Sequence, residues 1–276
     1  MSKFTDRDYV VKSQYKNSQN LLSRRSLYSF LVPPMDIRAA SLRALHLDGN
    51  ERVLDAGCGD GAALIQLQHD FKHRGSLVGL DISRGMFLSP EKLRGVPSSH
   101  RPITFVEASA DHIPFSDASF DAILAFFMLY HMADIPRTLH EWNRVLSSQG
   151  KLIVTTNSIE TRPKHHTFKA FAAQLLGCSL PSSFSSLFNM ENGEKQLSSA
   201  FRVVDKFVYE GELRLSGAQP FISAFDSIRD TFDPYPSDSA WASVLISIKE
   251  KFETEIKKNG CFIDKIKRGY FLCMKW

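Results

Sequence analysis

The most informative segment of this chain is Val53-Leu54-Asp55-Ala56-Gly57-Cys58-Gly59-Asp60-Gly61. It joins a short apolar run to a turn in which glycine permits sharp bends and close approach of a ligand to the backbone. Leu64, Leu67 and Phe71 then recur at helical spacing, which indicates a helix directly after the turn. The first turn of a helix has N–H groups free to bind a ligand. The segment therefore predicts a strand, a ligand-binding turn and a helix in succession.

A second signal stands 20 residues after Gly61, where the apolar run Ser76-Leu77-Val78-Gly79-Leu80 ends in Asp81. In dinucleotide-binding folds, an acid at the end of the second strand accepts hydrogen bonds from the hydroxyls of an adenosine ribose. The spacing of the glycines and Asp81 therefore predicts a ligand that contains a nucleoside.

Two cofactors compete for this site, and charge separates them. The pattern Gly57-x-Gly59-x-x-Ala62 also satisfies the fingerprint for NAD. However, Asp55 precedes the glycines and Asp60 lies among them, and both carboxylates would repel a pyrophosphate. S-adenosylmethionine instead presents an ammonium and a sulfonium, which acids attract. We favour S-adenosylmethionine, with NAD and a purely structural turn as the alternatives.

The rest of the chain alternates between strand and helix patterns. Further strands are predicted at 103–106, 120–126, 151–156, 201–215 and 269–274, and further helices at 10–31, 36–47, 134–147, 220–232 and 238–258. This alternation implies right-handed crossovers and a parallel sheet. The expected fold is α/β: a Rossmann-like, mostly parallel, seven-stranded sheet with an N-terminal helical lid and a helical cap inserted before the last strand.

The predicted organisation is one compact unit with three parts. Residues 1–48 form the helical lid and residues 49–158 the cofactor-binding α/β core. Residues 159–276 complete the sheet and carry the inserted substrate cap.

Four motifs together resemble the class I S-adenosylmethionine-dependent methyltransferases, and most closely the "methyltransferase type 11" group of small-molecule enzymes. They are Asp55-Ala56-Gly57-Cys58-Gly59-Asp60-Gly61, Gly79-Leu80-Asp81-Ile82-Ser83, Ile113-Pro114-Phe115-Ser116-Asp117-Ala118-Ser119-Phe120-Asp121 and Arg144-Val145-Leu146-Ser147-Ser148-Gln149-Gly150. The resemblance covers residues 50–157. Its motifs are specific for the cofactor and not for the substrate.

The resemblance assigns a role to each part of the cofactor site. It implies that the loop Gly57-Cys58-Gly59 holds the methionine part, that Asp55 orients its ammonium and that Asp81 binds the ribose. Ile82 and Met86 would flank the adenine. The family often has an acid against the adenine amine where this chain has Ser109. Three groups are therefore candidates for that contact: Ser109, the N–H of Ala110 and Asp111.

Methyl transfer from a sulfonium needs alignment and a poised nucleophile. His131 follows the fourth predicted strand and would accept a proton from an incoming hydroxyl or amine, or else only pack against the loop. Tyr15 and Arg24 would fold over the cofactor as part of the lid, or else lie on a surface helix. His165-His166 lies near the expected substrate mouth. It has no carboxylate or cysteine at ligand spacing, so no metal is expected.

Composition restricts the binding partners and the cellular location that the sequence predicts. The formal net charge of +4 does not require a nucleic-acid partner, and the basic residues near the C-terminus alternate with acids as on a solvated face. Four separated cysteines, no signal peptide and no apolar run long enough to span a bilayer predict a cytoplasmic protein with reduced thiols and no membrane insertion. Many of the 21 phenylalanines follow residue 168, where they would line an apolar substrate pocket or fill the core of the cap.

The leading hypothesis is an S-adenosylmethionine-dependent methyltransferase that acts on a small, apolar metabolite at oxygen, nitrogen or carbon. An RNA methyltransferase is one alternative. Enzymes that methylate base amines usually carry an Asn/Asp-Pro-Pro-Tyr/Phe-like segment where this chain has Phe126-Phe127-Met128-Leu129-Tyr130. A non-catalytic relative that binds the cofactor is the other alternative, since it would retain the glycine loop and Asp81 as well.

Overall fold

The computed structural model describes residues 3–87 and 101–276, so the predicted lid and core also include residues outside these ranges. Within them, the chain forms one eight-stranded sheet in the order β1-β7-β8-β6-β5-β2-β3-β4. The strands are β1 (Leu31–Val32), β2 (Val53–Ala56), β3 (Leu77–Asp81), β4 (Thr104–Glu107), β5 (Phe120–Phe126), β6 (Leu146–Asn157), β7 (Arg202–Leu215) and β8 (Phe262–Met274).

Helices cover both faces of this sheet and the N-terminal side of the molecule. In the described ranges they are α1 (Arg7–Tyr9), α2 (Gln19–Ser26), α3 (Ile37–Ala44), α4 (Ala62–Asp70), α5 (Ile135–Val145), α6 (Pro163–Leu176), α7 (Gly193–Leu197), α8 (Gln219–Asp226) and α9 (Asp238–Asn259). A π-helical turn spans Val10–Gln14, and short 3-10 turns lie at Leu27–Phe30, Leu129–His131 and Arg229–Thr231. No helix among these residues is both long and apolar enough to cross a membrane.

The parallel half of the sheet follows directly from the sequence. All four residues of β2 are buried, and β5 has the continuous apolar character of a strand covered on both faces. β2 pairs in parallel with β3 and β5, β3 with β4, and β5 with β6. The predicted Rossmann-like fold is confirmed. Its eighth strand is the two-residue β1, which pairs antiparallel with β7 at the sheet edge.

The antiparallel half extends the sheet beyond its parallel strands. β8 lies between β6 and β7 and runs opposite to both. Its pairing with β6 ends at Asn157 opposite Arg268, whereas its pairing with β7 continues to Leu215 opposite Phe262. The projecting β7–β8 ladder is covered by α6, α8 and α9, two of which lie between the last two strands in sequence, as predicted.

The phenylalanines after residue 168 fill the interior of this projecting unit. Six of them are at most 2% exposed and belong to one apolar cluster: Phe168, Phe221, Phe225, Phe232, Phe252 and Phe262. Phe252 and Phe262 stack with ring centroids 4.4 Å apart. Of the two uses open to these residues, the structure therefore favours the core of the cap.

Helix boundaries follow local capping chemistry. α9 begins after Ser237, whose side chain accepts from the N–H of Ala240, and ends at Gly260 with φ 78°. The helix predicted over 220–232 is shorter, because α8 ends at Asp226 and a 3-10 turn follows. The hydroxyls of Ser227 and Thr231 donate to carbonyls three residues earlier, which favours this tighter winding.

Ile248 and Ile246 offer a matched test of how α9 packs, since their side chains are 0% and 60% exposed. Ile248→Ala is expected to lower the free energy of unfolding by about 2–5 kcal/mol, because it leaves a cavity in the core. Ile246→Ala should change it by about 0.5 kcal/mol or less. Urea denaturation measures both, and the gain in helix propensity is common to the two variants. Equal losses would contradict the packing described for α9.

Candidate active site

A cavity of about 520 Å³ lies at the carboxyl ends of the parallel strands. Its wall runs from the glycine loop after β2, past Asp81 at the end of β3 and Phe126 at the end of β5, to Asn157 at the end of β6. This is the edge where open α/β sheets bind their ligands. All the residues predicted for the site line this one cavity: Tyr15, Arg24, Asp55, Gly57, Cys58, Gly59, Asp81, Ile82, Met86, Ser109, Ala110, Asp111 and His131.

The glycine loop is tied to the neighbouring strand. The N–H groups of Gly57 and Cys58 donate to the carbonyl of Leu80 at 2.7 and 2.9 Å. Gly57 has φ 72°, and a Cβ built there would lie 2.9 Å from the Cγ of Met128. Glycine at this position is therefore required by both backbone conformation and space.

Asp55 is a buried carboxylate that lacks a hydrogen-bond partner for one oxygen. The residue is 1% exposed, and no donor reaches its Oδ1. Burial raises the pKa of this carboxyl from its usual 3.8 to about 7. A buried acceptor without a donor is costly, and a cation supplied by a ligand would satisfy it. Asp55 thus fits the predicted role of binding an ammonium group.

Asp81 joins the glycine loop to the end of β3. Its two carboxylate oxygens accept hydrogen bonds from the N–H groups of Gly59 at 2.8 Å and Ser83 at 2.9 Å. Burial raises the pKa of this carboxyl, while the backbone donors lower it. Each carboxylate oxygen has a second lone pair, so Asp81 retains acceptor capacity toward the cavity that it lines.

The residues predicted to contact the adenine amine are held in place largely by hydrogen bonds from distant parts of the chain. Asp111 accepts two hydrogen bonds from Arg7, each 2.8 Å long, and one from the hydroxyl of Ser109. The carbonyl of Ala110 accepts from Nε1 of Trp142 at 2.8 Å. Of the three candidates for the adenine amine, Asp111 already has a charged partner from the N-terminal segment.

The structure changes the negative charge expected beside the glycine loop. Asp60 was counted as a free acid beside the glycines, but both of its oxygens lie 2.8 Å from Nη1 of Arg25. This pair neutralises Asp60. The repulsion expected for a pyrophosphate therefore rests on Asp55 and Asp81. The sequence did not reveal this pairing because the partners are 35 residues apart.

Residues 3–30, here called the N-terminal segment, lie across the cofactor end of the cavity. Besides the Arg7–Asp111 and Arg25–Asp60 pairs, the hydroxyl of Ser83 donates to the carbonyl of Tyr15 at 2.7 Å. The guanidinium of Arg24 stands 5.4 Å from the centre of the Tyr15 ring. Tyr15 and Arg24 thus both reach the cavity, as expected for residues of a lid.

His131 meets Tyr15 in the middle of the cavity. It ends the 3-10 turn after β5, and its Nε2 lies 3.1 Å from the hydroxyl oxygen of Tyr15. Burial raises the pKa of Tyr15, so the phenol stays protonated and can donate to Nε2 in the imidazole tautomer that carries no proton on that nitrogen. The geometry therefore joins a lid residue to the proposed base, which are 116 residues apart in sequence.

The far end of the cavity contains polar residues that the sequence reasoning missed. They are Asn157, Arg162, Lys169 and Arg268, together with Ser183, Ser185 and Tyr28. His165 and His166 also line it, as expected from their place after β6. Across the described ranges, no three or more His, Cys, Asp or Glu side chains are grouped to hold a metal ion. The position of Arg268 within β8, among residues that are mostly buried, was a signal that this arginine faces the interior.

Part of the chain is similar to known methyltransferases. Residues 54–154 match the family described as "Methyltransferase domain". The chain is 31% identical over 127 residues to a demethylmenaquinone methyltransferase of Lactobacillus johnsonii, covering 46% of this chain and 52% of that protein. It is 24% identical over 205 residues to the demethylmenaquinone methyltransferase of Oceanobacillus iheyensis, covering 73% and 83%. The chain thus spans about half the length of the curated relatives that it matches at over 30% identity.

Solved structures agree on the fold. Phosphoethanolamine N-methyltransferase 2 of Haemonchus contortus, in complex with S-adenosyl-L-methionine, superposes with a TM-score of 0.59 at 18% identity, covering 100% of this chain and 60% of that one. The [4+2]-cyclase SpnF superposes with a TM-score of 0.54 at 20% identity, covering 86% and 80%. These likenesses concern the fold alone. Residues 54–154 are thus similar to a methyltransferase domain, and the fold of the chain is similar to that of a solved methyltransferase.

Proposed function

We propose that this protein transfers the methyl group of S-adenosylmethionine to a small-molecule acceptor. One observation carries the proposal: a single cavity contains an orphaned buried carboxylate beside a glycine loop and, further along, the Tyr15–His131 pair. The first feature suits the cofactor and the second suits an acceptor that must lose a proton. The family that residues 54–154 match supports the same reaction.

The residues at the cofactor end fit the proposed ligand. Asp55 would bind the ammonium, the backbone at Gly57 and Gly59 the methionine part, and Asp81 the ribose. A pyrophosphate in the same place would face the buried carboxylate of Asp55, whose Oδ1 accepts no hydrogen bond and on which Arg38 and Arg25 act only at a distance. When bound, S-adenosylmethionine supplies an electrophilic methyl group on a sulfonium.

The chain's own residues would align the acceptor and accept its proton. The proton that the acceptor loses on methylation would pass to the hydroxyl of Tyr15, which would give its own proton to Nε2 of His131. The N-terminal segment acts as a lid that excludes water from this site. The catalytic role of His131 therefore depends on the position of Tyr15.

The relatives support the class of acceptor. Those named demethylmenaquinone methyltransferase suggest a quinone-type small molecule as the substrate of this chain. The segment after β5 lacks the Asn/Asp-Pro-Pro-Tyr/Phe pattern of base-amine methylation, which disfavours RNA. We also propose a cytoplasmic location, supported by the four cysteines, all of which are free thiols.

Calorimetric titration tests the cofactor assignment. S-adenosylmethionine is expected to bind at micromolar concentration and NAD not at all. Asp81→Ala should weaken S-adenosylmethionine about 5- to 150-fold, because it removes charge-assisted hydrogen bonds to the ribose. The control is Asp121→Ala, which removes a carboxylate paired with Arg52 away from the cavity. Equal affinity for NAD, or unchanged affinity in folded Asp81→Ala, would contradict the assignment.

Asp55→Asn is expected to stabilise the unliganded protein and to weaken the binding of S-adenosylmethionine. Between the pKa of 3.8 in the unfolded chain and about 7 in the folded protein, the folded state binds more protons, so ionised Asp55 costs stability as pH rises. Relative to the native protein, the unliganded variant should gain little stability at pH 4 and up to about 4 kcal/mol at pH 8. Its affinity for S-adenosylmethionine should fall about tenfold or more. Urea denaturation across pH and calorimetry measure the two effects, and a variant that binds normally would refute the role of Asp55.

The Tyr15–His131 relay predicts a loss of turnover without a loss of cofactor. With an acceptor found by screening reduced naphthoquinones and labelled S-adenosylmethionine, Tyr15→Phe and His131→Gln should each lower kcat about a hundredfold. Cofactor affinity of His131→Gln should stay within about threefold of the native value. Tyr235→Phe is a matched control, since Tyr235 is 62% exposed and lies outside the cavity. Native kcat in both relay variants would leave only a packing role.

A further inference from the structure

The far end of the cavity is basic. We define the basic end by Asn157, Arg162, His165, Lys169 and Arg268, all of which line the cavity beyond Tyr130 and His131. These residues come from the end of β6, from the start of α6 and from β8, which brings Arg268 opposite Asn157. None of them belongs to the cofactor assignment or to the proton relay.

Four atoms of the basic end are buried without a hydrogen-bond partner. They are Oδ1 of Asn157, Nε of Arg162, Nδ1 of His165 and Nε of Arg268. With Oδ1 of Asp55, they make up half of the ten such atoms in the described residues, and the five residues that carry them all line one cavity. Because buried polar groups are normally satisfied, this concentration indicates a ligand that makes polar contacts at both ends of the cavity.

The cations of the basic end are only partly balanced by neighbouring carboxylates. Asp264 acts electrostatically on Arg162, and its two oxygens accept from the N–H groups of Lys164 and His165 at 3.0 Å. Asp36, which also lines the cavity, accepts from the N–H of Ala39 and from Gln66. Arg162, Lys169 and Arg268 carry three formal positive charges, which leaves an excess over these two acids.

The two most buried cations, Lys169 and Arg268, are held in place by neutral groups that do not cancel their positive charge. Lys169 is 5% exposed, and its ammonium donates one hydrogen bond, 2.8 Å long, to the carbonyl of Ser182. Burial lowers the pKa of this lysine to about 8. Arg268 is 4% exposed, and its guanidinium lies 4.0 Å from the centre of the Tyr28 ring. Both side chains are therefore preorganised and short of anionic partners.

We propose that the methyl acceptor carries an anionic group, a carboxylate or a phosphate monoester, which binds between Arg162, Lys169 and Arg268. This inference rests on the proposed methyltransferase function and adds a recognition element to its acceptor. Guanidinium groups bind both anions through paired N–H donors, and the hydroxyls of Ser183 and Ser185 line the same end of the cavity. With its anionic group held there, the acceptor extends toward Tyr15 and His131, where its reactive atom is methylated.

The test compares three probes of similar size against protein saturated with S-adenosylhomocysteine. Benzoate and phenyl phosphate are anionic, and benzyl alcohol is neutral. Ligand-observed NMR titration should give at least about tenfold tighter binding of one or both anions than of benzyl alcohol. The tighter of the two anions identifies the group as a carboxylate or a phosphate. Equal binding of all three, or binding of none, would overturn the proposal.

Substitutions at the basic end test whether its cations cause the preference for anionic probes. Arg268→Gln and Arg162→Gln should each abolish the preference for the anion while leaving the affinity for S-adenosylhomocysteine unchanged. If Arg268→Gln does not fold, Arg162→Gln and Lys169→Met carry the test. Arg43→Gln is the control, since Arg43 is exposed on α3 and lies outside the cavity. A preference that survives in the folded variants would overturn the proposal, whereas failure of S-adenosylhomocysteine to bind would refute the proposed function itself.

Discussion

The site depends on a carboxylate that the fold buries without a partner. Asp55 is carried into the interior by β2, a strand covered on both faces, and the loop that follows is fixed to the carbonyl of Leu80. That loop has room only for glycine against Met128, and Oδ1 of Asp55 lies buried beside it without a donor. The protein thus bears a desolvation cost that a cationic ligand would relieve. Ligand binding and the stability of the core are coupled through this one residue.

The two ends of the cavity differ in charge: acids and arginines lie together at the cofactor end, whereas cations predominate at the basic end. Asp55 and Asp81 lie at the ends of β2 and β3, whereas Arg162 and Arg268 lie where β6 and β8 meet. The segment after β5, which contains Tyr130 and His131, lies between the two ends. A cationic cofactor and an anionic acceptor would therefore be drawn to opposite ends, with their reactive groups toward the middle. Such an arrangement favours the alignment on which methyl transfer depends.

How much the sequence predicts depends on how local the controlling interaction is. The glycine loop, Asp81 and the end of α9 at Gly260 are governed by residues close to one another in the chain, and all were predicted correctly in position. The pair between Arg25 and Asp60 and the contact of Tyr15 with His131 join distant segments, so no periodicity reveals them. The basic end was missed for the same reason.

The register of β8 shows why long-range pairing matters for the site. A shift of one residue in its pairing with β6 would turn Arg268 to the other face of the sheet and remove it from the cavity. That register is set by the apolar residues of both strands, such as Ile153 and Leu272, and not by any motif near Arg268. The same packing that builds the core therefore places the cation. Recognition of an anionic acceptor, as proposed, would then follow from the fold rather than from a separate sequence signature.

The N-terminal segment completes the cavity through polar contacts before Leu27, whereas Leu27 itself is buried in the apolar cluster of the cap. The segment's ion pairs to Asp111 and Asp60 involve arginines that are 63% and 34% exposed, and ion pairs at such positions contribute little net stability. Tyr15 is held by one bond to His131 and one backbone bond from Ser83. Opening the segment would free the cofactor end while leaving the sheet and the basic end in place. Weak closure at this end is what a methyltransferase needs, because the spent cofactor must leave after every turnover.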